Sequence, residues 1–329
     1  MNRINTGWLN GLIGVAIFAG SMPATRLAVQ GFSPMFLTGA RASIAAVLGL
    51  MLLMLLKQPR PARSQIRPLI IVALGVVAGF PLFSALALQS ITAARSLIFV
   101  ALLPLATAVF AVLRAKELPS PKFWLFSLMG SGFVVFFMLN QSDTQGIFSG
   151  DAYMIAAVIA CGLGYAEGAV LSRSLGGWQV ICWALIIALP FMLILSCIYW
   201  PAQLDSIPAA AYFGLFYVSV FSMLIGFFFW YKGLALGGIA RIGQIQLIQP
   251  FLGLMLSAML LSERISLSMK LDAASGPRRE HRDSREPVRS RPGEGGRSSY
   301  AQPARRSSAQ DSAPSAMASA FAKLQQRGR

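Results

Sequence analysis

Apolar residues along this chain gather into nine long runs, at 8–29, 34–56, 66–88, 93–113, 123–140, 151–171, 178–200, 208–231 and 240–261, separated by short clusters of Arg, Lys, Asp, Pro and Gly. A helix needs about 20 apolar residues to cross a hydrocarbon core roughly 30 Å thick, so each run predicts one membrane-spanning helix. The first run follows only Arg3 and lacks a small-residue cleavage site before the next run, so it reads as a retained helix rather than a signal peptide.

Composition points the same way. Of 329 residues, 56% are hydrophobic and 12% are charged, against about one quarter charged in soluble domains. Cys161, Cys182 and Cys197 all lie inside apolar runs at spacings that match no metal or redox motif, so neither a disulfide framework nor a metal centre is expected. No cofactor is expected either.

The charges assign an orientation. With a cytosolic N-terminus, the inner segments hold Arg3, then Lys57, Arg60, Arg63 and Arg67, then Arg114, Lys116 and Lys122, then Arg173, then Lys232 and Arg241. The outer loops up to residue 208 hold no Lys or Arg and instead carry Asp143 and Asp205, with Asp151 where the sixth helix begins. Lys and Arg stay on the cytosolic side of short loops, so the opposite orientation breaks the rule at every loop. The net charge of +16 thus reflects topology and contact with anionic lipid rather than nucleic-acid binding.

The second half echoes the first. Gly20-Ser-Met-Pro-Ala24 aligns with Gly164-Tyr-Ala-Glu-Gly168, Gly79-Phe80 with Gly226-Phe227, Leu86 to Leu88 with Leu234 to Leu236, Pro104 with Pro250, and Glu117 with Glu263, at offsets of 144 to 148. A complete repeat holds five helices, and an odd number places the second copy upside down in the membrane. Inverted repeats around a site near the bilayer midplane are a signature of secondary transporters.

On these residues the chain resembles the EamA-type permeases of the drug/metabolite transporter superfamily. The resemblance runs from Met1 to about Met269. It rests on two Pro/Glu pairs thirteen positions apart, Pro104/Glu117 and Pro250/Glu263, with GYAEG at 164–168 and WYKGLALGGIARIGQIQLIQP at 230–250. It implies an all-α polytopic membrane protein of two inverted five-helix repeats, a first repeat at 1–145 and a second, truncated one at 146–269. It also implies a bacterial inner-membrane transporter of amino acids or related metabolites, often exporting them, whose partners are a small-molecule substrate and the lipid bilayer. A monomer and a homodimer are both compatible with it.

Polar and ionisable groups at membrane depth are the site candidates, because they cost several kcal/mol unless they face a cavity or a partner. Glu167, in the sixth helix, either pairs with Lys232 or Arg241 at the same inner level or couples transport to protons or to a substrate amine. Arg41 lies about 10 Å inside the outer end of the second helix with no acid at its level. Its counter-charge is either a cluster of helix C-terminal carbonyls or an anionic group on the substrate. Arg26 and Arg95 sit nearer that face and are read as snorkelling.

Gln244, Gln246 and Gln249 lie beside Pro250, which leaves carbonyls free to face a cavity; hydrogen bonds between helices are the equal alternative. Pro23 and Glu167 occupy matching positions flanked by Gly, the pattern of broken helices lining a transporter site, and Pro81 is a similar break. Tyr165, Trp230 and Tyr231 are candidate cavity walls, with interfacial anchoring the commoner role for the last two. Glu117 and Glu263 fall at helix ends and read as structural.

A membrane-embedded enzyme would need a HExxH helix, a GxSxG elbow or an Asp pair at membrane depth, and the sequence has none. A channel is the other rival, but inverted repeats within one chain fit alternating access better.

The tenth helix expected after Glu263 does not appear. From Lys270 on, the chain carries 13 Lys or Arg and 6 Asp or Glu among Ser, Ala, Pro and Gly, a composition that predicts a disordered basic tail over 270–329. Its Arg cluster lacks the aromatic interleaving of nucleic-acid binding beyond Tyr300, and His281 carries no functional weight. The tail reads as an off-frame translation of GC-rich DNA. Resequencing the coding DNA is expected to uncover an apolar run in another frame; an intact frame with no such run elsewhere overturns the reading.

Overall fold

A computed structural model describes residues 3–140 and 149–261 of the chain. The expected tenth helix, the tail at 270–329, Asp143, Glu263 and His281 lie outside the described residues. Regular structure among the described residues is entirely helical. Eight helices are long and apolar enough to cross a bilayer: α1 (Ile4–Ala28), α2 (Pro34–Leu55), α3 (Arg63–Ser90), α4 (Arg95–Ala115), α6 (Ser149–Leu175), α7 (Gly177–Ile198), α8 (Ala209–Gly237) and α9 (Ile239–Ser257). The remaining apolar run forms α5 (Pro121–Asn140). Large apolar side chains such as Met54, Leu55, Leu113, Phe191 and Phe251 point outward. In water they would form a sticky surface; in a bilayer they face their solvent.

Local chemistry sets the helix ends. Ser33 caps α2 by accepting the Phe36 N–H at 3.2 Å, with Pro34 in the first turn, where its missing N–H costs nothing. The α6–α7 and α8–α9 links turn within one residue, at Gly176 (φ +97°) and Gly238 (φ +90°), a backbone conformation that side chains resist. α8 runs on past the expected end at residue 231 to Gly237, with Lys232 exposed. A lysine there keeps its ammonium at the surface without ending the helix.

Several spans are irregular, and the irregularities recur. α1 is interrupted at Gly20, three residues before Pro23. α3 widens into π-helical turns over Ala73–Gly79, just before Pro81, and α8 does so over Val218–Ile225, starting 145 positions later. α4 breaks at Ala101–Leu102 before Pro104, and α9 tightens into a 3-10 segment over Gln244–Ile248 before Pro250. Each proline lacks an N–H, which loosens the ladder beside it. α6 departs from the expected pattern. It runs unbroken from Ser149 to Leu175 through Glu167, because Glu167, unlike Pro23, keeps its N–H in the ladder.

α1 packs on α8, α2 on α7, α3 and α4 on α6, and α9 on α1 and α4. These pairings are unchanged when α1 to α4 are exchanged with α6 to α9. Glycines bring several pairs close, α1–α8 and α3–α6 among them. A Cβ on Gly233 would lie 2.7 Å from the Gly11 nitrogen, and one on Gly7 would lie 2.9 Å from the Gly237 nitrogen, so α1 and α8 touch backbone to backbone. On the α3–α6 seam, a Cβ on Gly75 would lie 2.6 Å from the Ala160 carbonyl oxygen.

Gly233→Val is expected to force α1 from α8 and destabilise the protein by about 1–3 kcal/mol, the usual range for overpacking. Gly130→Ala, where a Cβ meets nothing within 4 Å, is the neutral control. Thermal unfolding of the two purified variants in detergent measures both. A Gly233→Val variant as stable as the parent counts against the seam.

Candidate functional site

Beside the interruption at Gly20, carbonyls near the middle of α1 accept from side chains of other helices. Tyr217 Oη donates to the Ile17 carbonyl at 2.8 Å, and Gln249 Nε2 donates to the Phe18 carbonyl at 3.4 Å. Beside this break a cavity of about 20 Å³ opens, room for a water and far below the roughly 300 Å³ at which small-molecule pockets begin. Ser21, Arg41, Tyr165, Ser222 and Gln249 supply the polar wall, from five different helices. Phe18, Val76, Phe80, Leu103 and Phe227 supply the apolar wall.

Arg41 dominates the electrostatics. It is 3% exposed. Its Nη2 donates to Ser222 Oγ at 3.4 Å, Ser222 and Ser21 share a hydroxyl contact at 2.7 Å, and its Nε has no partner. No described carboxylate lies within 4 Å of it. A buried cation without an opposing charge costs several kcal/mol. Of the two counter-charges open from the sequence, no helix-end carbonyl cluster receives the guanidinium.

Tyr165 and Gln249 line the same cavity. Tyr165 stands in an aromatic cluster with Phe18 (6.4 Å between ring centres) and Trp230 (5.4 Å). Trp230 and Tyr231 are both 0% exposed, which corrects the interfacial-anchor reading. Tyr231 Oη instead donates to the Gly164 carbonyl at 3.1 Å. Gln246 is buried with its amide beside the Tyr165 hydroxyl, and Gln244 Nε2 is unpartnered. These lie one and two turns from Gln249 along α9, outside the cavity wall. Pro23 is buried in α1 just past the break and does not line the cavity.

Glu167 is also outside it. Arg114 grips its carboxylate in two places, Nε to Oε2 at 2.6 Å and Nη2 to Oε1 at 3.0 Å. The partner is therefore Arg114 of α4 rather than Lys232 or Arg241, since α4 packs along α6 at that depth. Arg95 does not reach for solvent alone: it forms a two-point pair with Asp151 at 3.0 and 2.7 Å. Arg26 donates to the Leu88 carbonyl. Glu117 pairs with Arg173 at 2.6 Å and accepts the N–H groups of Ile239 and Ala240 at 3.2 and 3.1 Å, so it caps α9. Among the described residues no cluster of His, Cys, Asp or Glu could hold a metal.

The profile of the EamA-like transporter family matches residues 5–139 and again 148–272. A Bacillus subtilis (strain 168) protein called uncharacterized transporter YdeK is 55% identical over 269 residues, covering 82% of this chain and 93% of its own length. A protein of known crystal structure, 17% identical, shares the fold with a TM-score of 0.61 over 80% of this chain and 90% of its own.

The Arg114–Glu167 pair is asymmetric: the arginine side chain is 44% exposed and the glutamate side chain 6%. Arg114→Ala strands a buried carboxylate, whereas Glu167→Gln releases an arginine that water can solvate. Arg114→Ala is expected to lower stability by about 1–3 kcal/mol and Glu167→Gln by less. Thermal unfolding of both variants tests the order, and a reversed order speaks against the pair as a latch between α4 and α6.

Proposed function

This chain belongs to the EamA-like transporter family of the drug/metabolite transporter superfamily, and we propose that it exports a small metabolite, an amino acid or related compound, by alternating access. As a family member it is a multi-pass membrane transporter. The observation that carries the reading is the convergence of Arg41, Tyr165, Ser222 and Gln249 on one cavity beside the irregular stretches of α1, α3, α8 and α9. Interrupted helices around a sparsely polar centre are how transporters expose a mid-membrane site to one side and then the other.

Two inverted repeats, 1–145 and 146–269, are supported by the double match to the family profile, by the recurrence of π-helical turns and proline breaks, and by the symmetric helix pairing. A cytosolic N-terminus in a bacterial inner membrane is supported by the basic residues gathered at one end of the bundle, Lys57 to Arg67, Arg114 to Lys122 and Arg173 among them. The two-point grip of Arg114 favours Glu167 as a structural latch over a proton carrier.

Purified protein in proteoliposomes is expected to show saturable flux of a metabolite with counterflow. Ohmic current instead marks a channel, and product formation an enzyme. Glu167→Gln is expected to keep the pH profile of transport within about twofold of the parent; a flattened profile returns Glu167 to the coupling role.

A further inference from the structure

Resting on the reading of the central cavity as the transport site, we infer that the preferred cargo is a small organic anion of net charge −1: a monocarboxylate with a compact apolar body and a neutral hydrogen-bond donor. The inference starts from how the charges are distributed. Among the described residues, three of the four carboxylates are already committed, Asp151 to Arg95, Glu167 to Arg114, and Glu117 to Arg173 and the first turn of α9. The fourth, Asp205, lies in the exposed loop between α7 and α8. The cavity wall itself holds one cation, Arg41, and no acid.

A cargo ammonium would meet hydroxyl and amide oxygens and aromatic faces there but no carboxylate, and would sit beside a guanidinium that repels it. A carboxylate meets the opposite situation. The planar guanidinium of Arg41 has an unpartnered Nε beside a weakly engaged Nη2, the fork that takes a carboxylate in two places. The Ser21 and Ser222 hydroxyls, 2.7 Å apart, can both turn to donate to it.

Charge balance then separates the anions from the amino acids. A zwitterion leaves the buried site at +1 and a dianion takes it to −1, while a monoanion brings it to zero, the state least costly to enclose in hydrocarbon. Gln249 selects further. Its Nε2 is committed to the Phe18 carbonyl and its Oε1 has no partner, so it offers an acceptor to a hydroxyl or an acylated nitrogen. The rest of the wall, Phe18, Val76, Phe80, Leu103 and Phe227, is apolar, so once the site widens it would face an apolar cargo body. A 2-hydroxy acid or an N-acylated amino acid has all of these features.

Three probes of one shape and different charge test this: 2-hydroxy-4-methylpentanoate (−1), leucine (0) and leucine methyl ester (+1). Each is preloaded into proteoliposomes holding the full chain, and counterflow of labelled 2-hydroxy-4-methylpentanoate is measured. The hydroxy acid is expected to exchange at least tenfold faster than leucine, with no exchange against the ester. Arg41→Gln is expected to abolish exchange and to remove the rise in unfolding temperature that the hydroxy acid gives the parent. Its own unfolding temperature is expected to be no lower than the parent's, since a buried cation has been removed, so loss of exchange is not loss of fold. Preference for leucine or the ester overturns the inference and leaves the carrier reading standing. Absence of exchange by all three overturns it as well, and the wider metabolite flux assay then judges the carrier reading on its own.

Discussion

Hydrocarbon surrounds a helix with material as apolar as its own side chains, so two helices gain little from the hydrophobic effect when they meet. What holds them is close contact over a long seam. The bundle is built on that constraint. α1 meets α8 through Gly7, Gly11 and Gly233, where backbones approach too closely for any side chain, and α3 meets α6 through Gly75 and Gly164 in the same way. The π-helical turns and proline breaks lie along these packed helices, where neighbours can take up the backbone groups they free. Tyr217 and Gln249 do this for α1.

Once packing is settled by glycine and alanine, the few charged groups at depth stand out by how they are compensated. Arg95 and Arg114 each hold a carboxylate by two hydrogen bonds near opposite ends of α4, and both carboxylates belong to α6. These pairs join neighbouring helices and leave the cavity alone. Arg41 is set apart from them by lacking any such partner among the described residues, and it faces a cavity where five helices bring polar groups together. A protein keeps so costly a group where its work requires it.

Much of this was legible in the residue pattern. Hydropathy marks the spans, since length and apolarity alone decide whether a segment can cross a bilayer. The isolation of Arg41 was legible too, because depth along a helix follows from counting residues and no acid shares its level. Azimuth was not legible. Glu167 was matched to Lys232 and Arg241 by depth, yet its partner Arg114 is chosen by which helix lies alongside α6, a fact carried in no single run. Trp230 and Tyr231 read as cavity walls or, more commonly, as interfacial anchors for the same reason: a span that is apolar all round does not show which face turns inward. Ser21 and Ser222 gave no signal beyond being hydroxyls in apolar stretches. Tyr217 gave none beyond being an aromatic near a span's middle.

The glycine seams also bear on how such a molecule can move. The α1–α8 and α3–α6 seams each fasten a helix from residues 1–145 to a helix from residues 146–269. Interlocked backbones of this kind slide or separate only at great expense, so they travel as one piece. On the alternating-access reading proposed above, the bodies that rock are mixed bundles, each with members from residues 1–145 and from residues 146–269, with the cavity between them.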